Sequence, residues 1–226
     1  MAKKLNFVTR ILSYFWDIPI EKIQSQYDEE LQLSLDKGRV KLSTSEAVYS
    51  FEDLYYCFSQ TFSQIEIQKF EVNKVLILGY GLGSIPCILE RKFQISPNIT
   101  GIEIDSSIVD MAKKYGFYNE KTQIICQDAI DFIQNNKDSF DLICIDVFEG
   151  HRVPVRMDAE DFLLKIKSGL NDKGIVIFNR MNDDLQNRNQ NKTLAKTLSG
   201  IFPEVNKIHI RDNLMYVARK EVIEYV

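Results

Sequence analysis

The spacing of apolar residues along this chain changes several times, and each change marks an element. Leu31, Leu33 and Leu35 alternate with polar residues, Asp36-Lys37-Gly38 supplies a turn, and Val40 and Leu42 resume the alternation. A period of two broken by a short turn predicts a β-hairpin packed on one face. Upstream, Phe7, Ile11, Tyr14 and Phe15 recur near helical spacing. The first ~25 residues therefore predict an amphipathic helix or helix-turn that docks as an arm. From Ser50 to Gln68 the period lengthens again. Phe51, Leu54, Phe58, Phe62 and Ile65 share one helical face, with Ser50 as the candidate N-cap.

Beyond this helix, strand and helix patterns alternate. Strands are expected near 74–79, 99–104, 122–127, 140–146 and 174–179, and helices near 84–93, 106–116, 128–135, 158–170 and 190–200. Such alternation predicts parallel βαβ units with helices on both faces of one sheet. Two last strands, near 205–210 and 214–219, are joined by Arg211-Asp212-Asn213, a link so short that they must be antiparallel. The expected fold is α/β: a mostly parallel seven-stranded Rossmann-like sheet with a terminal antiparallel hairpin. A small N-terminal helix and β-hairpin (residues 1–48) precede the main domain (49–226). The polar stretch from Asn182 to Asn191 is expected to be a mobile loop.

Candidate chemistry falls at the ends of successive strands. The run Val75-Leu76-Ile77-Leu78 ends in Gly79, Gly81 and Gly83. Such glycines let a backbone turn sharply and approach a ligand, and a dinucleotide fingerprint would require a glycine or alanine where Ser84 stands. The next strand ends at Glu103, well placed to accept hydrogen bonds from ribose hydroxyls, while Asp105 suits the cap of the helix that follows. The third ends at Asp128, which can accept from an adenine amino group or cap its own helix. The fourth ends at Asp146, with Glu149 beyond it. Carboxylates there can bind an amine or take its proton, so both are candidate catalytic groups. His151 follows as a further candidate base, and Tyr49, Tyr55 and Tyr56 can shape an acceptor pocket.

Composition narrows the classes. Hydrophobic residues make up 45% of 226, enough for a core, and the net charge of −4 speaks against a nucleic-acid partner. No apolar run reaches the ~18 residues of a membrane span. The expectation is a cytoplasmic protein with no membrane partner. The four cysteines form no C-x-x-C pair, and no metal site is expected. Cys126 and Cys144 lie in apolar runs and are expected to be buried.

Taken together, Val75–Gly83, Gly101–Tyr115, Gln127–Phe132 and Phe140–Glu149 resemble the class I S-adenosylmethionine-dependent methyltransferase fold, and within it the spermidine synthase family. The Leu31–Leu42 hairpin and Tyr49-Ser50-Phe51 are similar as well, so the resemblance spans about Ser25 to Arg180. It implies that Gly79, Gly81 and Gly83 line the amino-acid or aminopropyl portion of the cofactor. Glu103 would lie on the ribose and Asp128 with Ala129 at the adenine, and Asp146 beside the attacking amine. The cofactor would be S-adenosylmethionine or its decarboxylated form, the partner a small-molecule acceptor, and the assembly a homodimer. Six residues differ from the family pattern, among them Glu149 in place of the later acid of the fourth-strand loop and Gly150 in place of the proline after it. Leu82 stands where family members carry an acid that holds the cofactor's amine, Phe51 and Glu52 replace tyrosine and glutamine, and Cys57 replaces histidine. On that basis the leading expectation is methyl transfer to a small acceptor. Aminopropyl transfer to a polyamine is the alternative, and a non-catalytic binding or dimerisation module the third reading.

Overall fold

The computed structural model describes residues 6–221 apart from 28–29, 46 and 151; His151 therefore lies outside the described residues. The chain opens with α1 (Phe7–Leu12), capped by Asn6, whose side chain accepts from Val8 N. Four strands follow: β1 (Ile18–Ile23), β2 (Leu31–Asp36), β3 (Arg39–Ser43) and β4 (Val48–Ser50), antiparallel in that order. The expected hairpin is present, with Leu31, Leu33, Leu35, Val40 and Leu42 all buried. Its loop is two residues long, and Lys37 and Gly38 take φ of 49° and 72°. The arm departs from expectation. Its helix is six residues long and buries none of them, and the rest of the segment becomes β1. Pro19, Glu21 and Lys22 conceal that strand's alternation. Polar bonds dock the arm: Arg10 donates to Gly38 O at 2.7 Å, and Ser13 Oγ accepts from Gly38 N at 2.8 Å.

Ser50 does not cap the next helix. It ends β4, and its hydroxyl sits 2.6 Å from Ser84 Oγ. A 3-10 turn over Glu52–Leu54 intervenes, and α2 runs from Tyr56 to Gln64. The delay has an electrostatic cause: Glu52 and Asp53 are turned inward to Arg39 and Arg91, and Glu52 also accepts from Val40 N.

The second sheet then alternates with helices: β5 (Lys74–Leu78), α3 (Ser84–Phe93), β6 (Asn98–Glu103), α4 (Ser106–Tyr115), β7 (Thr122–Cys126), α5 (Ala129–Asn135), β8 (Phe140–Ile145), α6 (Glu160–Ser168), β9 (Leu170–Met181), α7 (Leu185–Ile201), β10 (Glu204–Ile210) and β11 (Asn213–Arg219). Its order is β10-β11-β9-β8-β5-β6-β7. The five strands from β9 to β7 are parallel, while β10 and β11 form the antiparallel end. Period two explains the continuous apolar runs, because each strand serves two buried faces. Val75 and Ile77 pack with the first sheet, α2, α3 and α4. Leu76 and Leu78 pack with α5, α6 and α7.

Two expectations fail here. The polar stretch 182–191 is not a loop, because α7 begins at Leu185. Asp184 caps it by accepting from Asn187 N at 2.6 Å. Asn187 and Asn191 are buried, and Asn191 bonds both Arg180 and Met181 O. Satisfied partners let polar side chains occupy a buried helical face. Cys126 is exposed whereas Cys144 is buried, since Cys126 lies at the open end of the outermost parallel strand. Among the described residues no helix is long and apolar enough to cross a membrane.

Candidate active site

Chain order runs outward from β5 in both directions, to β6 and to β8, so the sheet has its switch point there. Ligands of open α/β sheets bind at the carboxyl ends of strands flanking such a point. A cavity of about 680 Å³ occupies this place, a size that suits a small-molecule ligand.

The glycine loop forms its floor. Gly79 has φ 82°, and any side chain there would collide with the carbonyl oxygen of Asp146. This close approach ties β5 to β8. Gly79 and Gly81 line the cavity. Gly83 does not. It precedes α3 with φ 82°, and a Cβ there would lie 2.6 Å from Phe117 O, so it is a packing glycine behind the cavity wall. Leu82 is likewise turned away into the apolar cluster, and position 82 contributes no side chain to the cavity.

One end of the cavity suits a nucleoside. Glu103, at the end of β6, is buried, accepts from Gly81 N at 2.9 Å and lines the cavity. Burial pushes its carboxyl above the usual range, while the backbone donors at Gly81 and Asp105 oppose the rise. Asp105 accepts from Ser107 N at 2.8 Å, so it caps α4 as the sequence suggests, and also accepts from Ser25 Oγ at 2.6 Å. Asp128 accepts from Ile130 N and Asp131 N at 2.8 and 3.0 Å and caps α5, while still lining the cavity beside Ala129. Ile104, Ile108 and Ile130 add apolar wall. Acids with free lone pairs beside apolar walls fit a ribose and a flat base.

Asp146 marks the other end. It accepts from Asn179 Nδ2 at 2.8 Å and from Tyr55 OH at 3.2 Å. Burial raises its pKa from 3.8 to about 7, with the Asn179 and Tyr55 hydrogen bonds holding it down and the Glu103 charge adding to the rise. A carboxylate with such a pKa is poised to exchange a proton near neutrality. Glu149 also lines the cavity, from an exposed loop closed by paired backbone bonds to Arg152. That loop continues into a 3-10 turn at Val155–Asp158. The turn is pinned by Arg180, which makes two bonds to Asp158 at 2.9 and 3.1 Å.

Neither Asn179 nor Arg211 stands out as a site residue in the sequence. Asn179 follows the apolar run Ile175–Phe178 on β9, and its neighbour Phe178 pairs with Ile145. The polar residue that ends that run was the available signal. Arg211 lies in the two-residue β10–β11 loop and lines the cavity with its guanidinium 4.2 Å from the Tyr56 ring centroid.

An open sheet with a cavity at its switch point, a glycine loop after β5 and acids at the ends of β6, β7 and β8, defines a Rossmann-like protein of the class I methyltransferase architecture. The spermine/spermidine synthase domain matches residues 63–212, and the chain belongs to that family. It is 28% identical over 137 residues to a probable polyamine aminopropyl transferase of Bifidobacterium longum, covering 60% of this chain and 30% of that one. It is 30% identical over 113 residues to the polyamine aminopropyltransferase of Buchnera aphidicola, covering 47% and 39%. The chain thus spans 30% and 39% of the length of these curated relatives. A probable spermidine synthase from Corynebacterium glutamicum superposes with a TM-score of 0.73 at 16% identity, over 90% of this chain and 81% of that one.

Proposed function

We propose that this chain transfers an aminopropyl group from decarboxylated S-adenosylmethionine to a small amine. The observation that carries the reading is the Asp146 carboxylate, held by Asn179 and Tyr55 at the carboxyl end of β8, in a member of the spermine/spermidine synthase family. Methyl transfer, favoured by the sequence because of Leu82, is the weaker reading. Leu82 lies in the core cluster rather than on the cavity wall, so that substitution leaves the cavity's own polar groups intact.

In this reading Glu103 holds the ribose, Asp128 and Ala129 flank the base, and the Gly79–Gly81 backbone runs beside the donor's chain. The donor supplies an aminopropyl carbon bonded to a sulfonium, and the amine nitrogen bonds that carbon as the C–S bond breaks and its electrons return to sulfur. Asp146 takes the proton that the amine nitrogen sheds. Tyr55 and Asn179 keep the carboxylate aimed, and most of the rate gain comes from positioning. Glu149 is placed to hold a second positive charge of the acceptor.

The test is product analysis. The purified chain, supplied with decarboxylated S-adenosylmethionine and a panel of amines including putrescine and L-ornithine, is expected to release methylthioadenosine in step with aminopropylated amine. Release of S-adenosylhomocysteine from intact S-adenosylmethionine, with no methylthioadenosine from the decarboxylated donor, would overturn the reading in favour of methyl transfer.

A further inference from the structure

The lining of the cavity carries both signs of charge. Arg211, Lys37 and Arg156 line it, as do Glu149 and Asp212. Among the described residues none of these three cations has a hydrogen bond or ion pair through its side chain. Arg211 occupies a left-handed turn position, with φ 53°, and Lys37 does so in the other hairpin loop, with φ 49°. Glycine or asparagine fits such positions best. Two long cations on left-handed turn positions therefore line one cavity, and Arg211 is further fixed by stacking on Tyr56.

The order of strands places this charge on the acceptor's side. The nucleoside end lies at β6 and β7, Asp146 follows β8, Asn179 lies on β9, and Arg211 lies on the β10–β11 loop beyond it. Cys57 feels both Asp146 and Arg211: burial raises its thiol to about 12, the Asp146 charge adds to the rise, and the Arg211 charge opposes it. An unpaired guanidinium here repels the distal ammonium of a plain diamine and attracts a carboxylate.

We infer that the acceptor is an ω-amino acid with a free α-carboxylate, and not a simple diamine. Its ω-amine lies at Asp146, its α-carboxylate on Arg211, and its α-ammonium on Glu149 or Asp212. This inference rests on the aminopropyl-transfer reading for the chemistry but not for the binding.

The experiment compares L-ornithine with putrescine, the same diamine without the carboxylate, in the wild type and in Arg211→Gln. With decarboxylated S-adenosylmethionine as donor, the wild type is expected to show kcat/KM at least about tenfold higher for ornithine. Arg211→Gln is expected to lower the ornithine value about tenfold more than the putrescine value. Preference for putrescine, or an ornithine-to-putrescine ratio that Arg211→Gln leaves unaltered, would overturn it. Calorimetric binding of each amine in the presence of methylthioadenosine decides the matter if neither is turned over. Tighter binding of ornithine that weakens in Arg211→Gln supports the inference while aminopropyl transfer fails. Equal binding, or none, overturns the inference.

Discussion

The two ends of the cavity are built by different means. At the nucleoside end the acids are held chiefly by backbone donors: Asp105 by Ser107 N, with the Ser25 hydroxyl added from 80 residues away, and Asp128 by Ile130 N and Asp131 N. Glu103 reaches across to Gly81 N on the neighbouring β5–α3 loop. At the acceptor end Asp146 is held by side chains from distant parts of the chain, Tyr55 at a separation of 91 residues and Asn179 at 33. Backbone donors at Glu103 oppose the rise that burial imposes on its carboxyl. Two neutral side chains on a buried carboxylate leave its protonation open, which is what a proton acceptor requires. In the proposed reading this difference gives binding to one end and chemistry to the other.

Asp146→Asn should break the comparison most severely. Loss of a positioned proton acceptor should lower kcat by about 10²–10⁴-fold, while calorimetry should show methylthioadenosine binding changed less than about threefold. An equal loss in both would erase the division between the ends. Gly79→Ala comes next, because it strikes the junction of β5 and β8 that joins them. A left-handed φ and a clash with the Asp146 carbonyl should cost about 3 kcal/mol in denaturant unfolding. Gly81→Ala, whose Cβ would meet its nearest neighbour at 3.5 Å, should cost about 1–2 kcal/mol from φ alone. Glu103→Gln should sharpen the contrast from the other side. It should weaken methylthioadenosine about 10- to 100-fold, the worth of a hydrogen bond to a charged group, and lower kcat at saturating donor far less.

The same contrast governs what the sequence reveals. Glu103, Asp105, Asp128 and Asp146 could be read from the chain because each closes an apolar run, and a strand's end is a local pattern. The caps at Asp105 and Asp128 follow from the residues immediately after them. Asn179, Tyr55 and Arg211 meet Asp146 through strand order and loop geometry, which no local period encodes. Gly83 and Leu82 show the reverse error. The spacing of Gly83 suggests a ligand and the family pattern puts a cofactor contact at Leu82, but the left-handed turn at Gly83 directs both residues into packing against Phe117 and the core. The stretch 182–191 hides its helix for a related reason: its asparagines look solvated until Arg180 and Met181 supply their partners.

Asp146 also links the site to stability. Its folded pKa of about 7 stands above the ordinary 3.8, so the folded state binds more protons between those values. Stability from this group is therefore complete below about pH 4 and is lost as pH rises through about 7. Asn179→Ala removes a hydrogen bond that holds this pKa down, and should move the titration upward, the smallest of these effects.

The most direct measurement of the division between the ends is kcat/KM against pH with decarboxylated S-adenosylmethionine and an amine acceptor. The wild-type value should rise to a plateau through an apparent pKa near 7, and that limb should vanish in Asp146→Asn. A profile that is flat across this range, or the same limb persisting in Asp146→Asn, would contradict the assignment of the chemistry to Asp146.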